Sequence, residues 1–153
     1  MINKTIVINK KLSANDLGKT GSHQAGILIP KEVVQLDFFP YLNPEDYNPS
    51  VEISFFCEDL NETYSLRYVY YNGKTRNEYR ITRMTKLLRD LGATVGDSLA
   101  MQNQRNGEIL LKLRRMGPTT QSDLKNVDTG SIKDTSDMKI VELKNGWILE
   151  EME

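Results

Sequence analysis

The chain reads as a series of short alternating segments broken by polar stretches, the pattern of a mainly β domain. Thr5 to Asn9 is short and β-branched and predicts a first strand. Val51 to Glu58 and Glu62 to Tyr71 predict a hairpin closed by Asp59-Leu60-Asn61, with Phe55, Leu66, Tyr68 and Tyr70 among its packing residues. Ser98 to Gln102 and Glu108 to Met116 predict two more strands across an Asn106-Gly107 turn, with Leu111 and Leu113 on one face and Lys112 and Arg114 on the other. MKIVELK-NG-WILEEM predicts a last hairpin around Asn145-Gly146, which either adds a strand pair or packs as an arm. Helical periodicity is rare. Met84, Leu87, Leu88 and Leu91 fall at i, i+3, i+4 and i+7 before Gly92, so Met84 to Leu91 predicts a short helix plugging one end of a barrel. Pro30 stands at a first helical position, with Glu32 in the first turn, and predicts a second over Pro30 to Leu36.

The polar stretches divide into three kinds. Leu12 to Gly26, LSANDLGKTGSHQAG, cannot bury itself, and a loop of this length inside a compact domain is usually functional. Its Gly18 and Gly21 allow close backbone approach, and Lys19, Ser22, His23 and Gln24 supply hydrogen-bonding groups. Phe38 to Ser50, with three prolines, predicts an irregular surface connection. Thr119 to Asp137 is poor in apolar residues, like a linker. The expected division is therefore a domain over 1–117, a linker over 118–137 and a hairpin tail over 138–153.

The most informative stretch is Asn72 to Arg83, NGKTRNEYRITR. Asn-Gly signals a turn, and in a strand leaving it Lys74, Arg76, Glu78 and Arg80 would project as one row, with Asn77, Tyr79, Ile81 and Arg83 on the other side. An Arg fork matches guanine O6 and N7, and a carboxylate accepts from the exocyclic amine of cytosine, so such a row suits the edges of a G·C pair in a duplex major groove. Glu78 is the informative residue, because a row built for phosphate alone gains nothing from a carboxylate. The alternative is a solvated hairpin in which Glu78 merely pairs with Arg76 and Arg80.

Charge supports a charged partner. The net charge of −1 conceals eight acids against one base over Lys31 to Thr63 and seven bases against one acid over Arg67 to Arg89. The single cysteine, Cys57, and single histidine, His23, remove Cys/His zinc sites and leave a nucleophilic triad without a well-placed serine. No apolar run approaches the ~20 residues of a membrane helix, and the N-terminus lacks signal-peptide features, so a cytoplasmic location is expected.

With LSANDLGKTGSHQAGILIPK at Leu12 to Lys31 and GKTRNEYRITR at Gly73 to Arg83 both in view, followed by GDSLAMQ and ILLKLRR, the chain resembles the N-terminal effector-binding domain of EcoRII-like restriction endonucleases. The resemblance covers roughly residues 1–117. It implies an open seven-stranded DNA-binding pseudobarrel with two short helices, similar to plant auxin-response-type transcription factors, in which two arms grip the major groove. It places His23 and Gln24 on the first arm and Lys74, Arg76, Asn77, Glu78 and Arg80 on the second. In such enzymes a separate nuclease domain follows, for which the 36 residues from Pro118 are too few, so double-stranded DNA is the expected partner, with no catalysis by this chain. Magnesium would enter only through an attached nuclease domain or subunit. Two other readings remain at this level. Glu142-Leu143-Lys144 matches half of a magnesium-dependent nuclease site, with Asp128 or Asp137 as the candidate upstream carboxylate, although an alternating strand beside an Asn-Gly turn gives the same letters. A protein-interaction module using the acidic surface or the Trp147 hairpin is the other.

Overall fold

A computed structural model describes residues 5–18, 26–73, 76–104, 106–115 and 138–152. The chain order is β1 (Thr5–Lys11), β2 (Ile27–Ile29), α1 (Lys31–Val34), β3 (Ser50–Cys57), β4 (Glu62–Tyr71), β5 (Glu78–Thr82), α2 (Thr85–Leu91), β6 (Ser98–Asn103), β7 (Ile109–Arg114), β8 (Met138–Glu142), a 3-10 turn at Lys144–Gly146, and β9 (Trp147–Met152). All nine strands form one sheet in the order β2-β5-β4-β3-β7-β6-β1-β9-β8. Every pairing is antiparallel except β3 with β7.

The sheet curls on itself. Trp147, on the strand eighth in that order, donates its indole N–H to the Leu28 carbonyl on the first strand at 3.0 Å. The concave face carries the core: Ile8, Ile27, Ile29, Phe55, Leu66, Tyr68, Ile81, Leu99, Leu111 and Trp147 are almost wholly buried there. Alternation along β3, β4 and β7 produces this directly, since Ile53, Phe55 and Cys57 point inward with Tyr64, Leu66 and Tyr68, and with Ile109, Leu111 and Leu113. Cys57 is a free, buried thiol whose pKa burial pushes up, which suits a small core hydrophobe.

Helix α2 buries Leu87, Leu88 and Leu91 and ends at Gly92, whose φ of 64° caps it as the sequence predicts. Helix α1 is shorter than the expected Pro30 to Leu36: Pro30 is its extended N-cap and Asp37, at φ 57°, turns the chain away. No described helix is long and apolar enough to cross a membrane.

The strand count differs from the expected seven. The last hairpin adds a strand pair to the sheet, with β9 in register against β1 from Thr5↔Met152 to Lys10↔Trp147, and Trp147 lies fully inside the core. The large buried indole accounts for this placement, because a hairpin left outside would expose it to water.

Candidate nucleic-acid interface

The second arm is the turn between β4 and β5. Arg76 N–H donates to the Gly73 carbonyl at 3.0 Å, and the strand proper begins only at Glu78. Below the turn the expected two-sidedness holds. Tyr79 and Ile81 face the core, with Tyr79 in a stack of rings that runs from Phe39 through Tyr68 and Tyr79 to Tyr70. Asn77 lies on that side too, accepting from the Tyr70 hydroxyl at 2.5 Å. Glu78 and Arg80 lie on the outer face, where Arg76 joins them: Glu78 Oε2 meets Arg80 Nε at 2.5 Å and Arg76 Nη2 at 3.1 Å.

The row is therefore an ion-paired unit, as the alternative sequence reading has it, but an unevenly exposed one. The Arg76 side chain is 50% exposed and Glu78 29%, while Arg80 is 5% exposed and also reaches the Gly26 carbonyl at 3.4 Å. Arg80 thus does not project as the alternation suggested. It lies in register between Val69 and Leu28, and the neighbouring strands cover it. Arg76 rests over the Tyr71 ring at 4.7 Å, which holds its guanidinium near the tip. Burial alone would push the Glu78 carboxyl up, but the two guanidinium groups outweigh it and hold the pKa below its ordinary value.

Arg83 departs from the expected side. At φ 67° it leaves the strand, and its Nη1 meets Glu52 Oε1 at 3.3 Å on the solvent face of β3. Lys74 of the expected row, and Lys19, Ser22, His23 and Gln24 of the first arm, lie outside the described residues.

The arm is braced by Asn72, singled out above only as a turn residue, and by partners that sequence reasoning passed over. Asn72 donates to the Pro44 and Asp46 carbonyls at 2.9 and 2.7 Å, and Asn72 and Asn48 exchange side-chain-to-backbone hydrogen bonds at 2.9 and 3.0 Å. Tyr47 packs so closely on Gly73 that a Cβ there would sit 2.9 Å from its ring. The irregular Phe38 to Ser50 connection is thus a buttress. Its asparagines and exposed Tyr47 were the available signal.

The first arm, between β1 and β2, is described at its two roots. Ser13 and Asp16 cap each other's backbone N–H at 2.9 and 3.2 Å, forming a compact turn on the leading side. On the trailing side Gly26, at φ 77°, passes so close to β5 that a Cβ would come within 1.8 Å of the Ile81 carbonyl oxygen. Because β2 runs antiparallel to β5 with Ile27 opposite Ile81, the first arm returns at the far end of β5 from the second. Strand β5 has five residues, so the two arms flank an outer face of roughly 17 Å at ~3.4 Å per residue. A cleft of about 520 Å³ opens beside that face, lined by Lys10, Ser13, Asp16, Leu28, Arg80 and Asn145 among others.

The nuclease letters fare differently. Lys144 pairs with Glu32 at 3.7 Å, Asp128 and Asp137 lie outside the described residues, and among the described residues no group of three His, Cys, Asp or Glu is placed to hold a metal ion.

With an open curled sheet and the roots of two polar loops at opposite ends of β5 in place, the chain matches the family described as restriction endonuclease EcoRII, N-terminal, over residues 2–143. The chain belongs to that family. The type II restriction enzyme EcoRII of Escherichia coli is 46% identical over an 84-residue alignment that covers 48% of this chain and 20% of that enzyme. This EcoRII N-terminal-type domain thus aligns with about a fifth of the length of that relative. Among solved structures, the Arabidopsis FUS3–DNA complex superposes with a TM-score of 0.56 at 18% identity, over 70% of this chain and 94% of that one. The B3 domain of the UbaLAI restriction endonuclease, solved with cognate DNA, gives 0.55 at 19% identity over 99% and 90%. These likenesses establish the pseudobarrel fold of the EcoRII N-terminal-type chain.

Proposed function

We propose that this chain binds double-stranded DNA sequence-specifically through the major groove, as the target-recognition domain of a restriction endonuclease or a free-standing relative, and does not itself cut it. One observation carries the reading: an Arg76-Glu78-Arg80 row, already assembled on a braced turn, stands at one end of a face flanked at its other end by a second polar loop. A face of roughly 17 Å between the arms accommodates a groove ~12 Å wide. The structural neighbours solved with DNA and the family's restriction enzyme support the same class of partner. A cytoplasmic location goes with that relationship.

In this reading Arg76 offers its fork to guanine, and Glu78 accepts from cytosine through Oε1, since both of its ion pairs among the described residues fall on Oε2. Arg80 holds Glu78 in place instead of touching a base. Asn77 carries the turn, Lys74, Lys19, Ser22, His23 and Gln24 supply further contacts, and Arg83 lies nearer phosphate.

The test is selection from a randomised duplex pool on the purified chain, without metal and at moderate salt. Enrichment of a short motif containing G·C pairs is expected. Salt-sensitive retention with no motif would reduce the site to a basic patch, and no retention would end the DNA reading.

A further inference from the structure

The last hairpin touches the first arm at both of its roots. On the leading side the junction is Lys10, whose side chain is 7% exposed and whose ammonium meets three acceptors: Asp16 Oδ2 in the arm's first turn at 3.0 Å, the Asn145 carbonyl in the hairpin turn at 2.7 Å, and the Lys11 carbonyl at 3.0 Å. An ammonium has three donors, and these three contacts use them. The hairpin turn is shaped for this contact. Asn145 and Gly146, at φ 60° and 82°, turn the chain tightly, and a Cβ on Gly146 would lie 3.3 Å from Lys10 Nζ. On the trailing side the buried Trp147 donates to the Leu28 carbonyl at 3.0 Å, one residue into the strand that follows the arm, and Leu28 is the register partner of Arg80.

We propose that the β8–β9 hairpin is the brace that positions the first DNA-contacting arm, with Lys10 as the positioning residue at the junction. The inference rests on the DNA reading above. Its physical basis is that a buried charge tolerates no missing partner. With the hairpin seated, Lys10 has a reason to hold Asp16, and the Ser13–Asp16 turn at the arm's leading root is held against the barrel. With the hairpin turn displaced, Lys10 loses an acceptor, and its pairing with Asp16 no longer anchors the arm to the barrel. Lys10 is too enclosed to serve as a phosphate contact, which separates this role from that of the surface cations.

The experiment compares the full chain with Lys10→Met, Lys10→Met/Asp16→Asn and Trp147→Phe. Amide hydrogen exchange is followed on the free proteins, and competitive binding of the selected against a scrambled duplex is followed across a salt series. For Lys10→Met, exchange at 12–18 should quicken at least ~10-fold while β3, β4 and β7 stay protected. Discrimination between the duplexes should fall roughly tenfold with an unchanged salt slope. The double variant removes the orphaned carboxylate, so it should regain stability without regaining discrimination, and it carries the test if the single variant does not fold. Trp147→Phe keeps a ring and loses the N–H, so quickening should be confined to 26–29. Unchanged exchange at the arm roots overturns the brace, as does a loss of affinity accompanied by a shallower salt slope, which would put Lys10 on the DNA. A wild-type chain that selects no duplex overturns the DNA reading and the arm's role with it. Quickened exchange in that case would locate the failure in the reading and not in the brace.

Discussion

Removing the Glu78 carboxylate separates a base reader from a passive ion pair, because the two roles predict effects of opposite sign. In Glu78→Ala the outer face keeps Arg76 and Arg80 and loses the one negative charge between them. If Glu78 reads a base, discrimination at that position should fall by ~1–3 kcal/mol, between about fivefold and 150-fold. Binding to unrelated duplexes should rise slightly: a carboxylate ~7 Å from a phosphate repels it by about 0.6 kcal/mol in water, and salt screening reduces that, so the gain stays under about threefold. Fluorescence-anisotropy titrations of the selected duplex, a single-position variant and a scrambled duplex measure both effects. The almost buried Arg80 loses this carboxylate, so the variant should also melt lower, and titrations belong well below its midpoint. An equal loss of affinity for all three duplexes would refute the reasoning, since only a structural role predicts it.

Other expectations follow from the same geometry. Arg83→Ala and Lys86→Ala, the latter an exposed lysine of α2 paired with Asp90, should each flatten the slope of log K against log salt by about 0.9 without altering the selected motif, and a changed motif would show these exposed side chains to be readers. Gly26→Ala combines a left-handed backbone with a Cβ 1.8 Å from the Ile81 carbonyl oxygen. The left-handed conformation alone costs ~1–2 kcal/mol, so a loss above ~2 kcal/mol and a melting shift of at least ~4 °C are expected; an unchanged midpoint would mean that β2 is free to move off β5. The Glu78 carboxyl has its pKa lowered in the folded state, so its ion pairs contribute fully above the unfolded value, ~4.3, and are lost as pH falls through the folded one. The melting difference between wild type and Glu78→Gln should therefore shrink as pH drops below about 4.3, and a constant difference would remove the pair from the stability of the fold.

Local features of the fold were legible where the signal is local. Alternation marked β3, β4, β6 and β7, the Met84-Leu87-Leu88-Leu91 spacing marked α2, and Asn-Gly marked the turns at 72 and 145. What alternation cannot report is what covers a face. It assigned Arg80 to the outer row correctly, but the burial of that side chain depends on Leu28 and Val69, which reach it only through the β2-β5-β4 pairing. Lys10 misleads for the same reason. A lysine at the end of a strand reads as a surface residue until strand order brings Asn145 and Asp16 to it. The hairpin over 138–152 was recognisable, yet its partner strand is some 140 residues away, and no window along the chain contains both. The Asn48–Asn72 exchange likewise joins two loops that each look merely polar.

The pairing of β1 with β9 also governs when the molecule comes into being. Strand β1 leaves the ribosome first of the nine described strands and β9 last, so the β1 edge that β9 covers stays unpaired through the synthesis of some 140 residues, roughly 7–30 s at ~5–20 residues per second. During that interval Ile6, Val7 and Ile8 and their backbone donors offer a template to any other extended chain. A nascent chain therefore depends on β9 both for protection from aggregation and for the seating of Trp147, and the face anchored in this way matures in one late step.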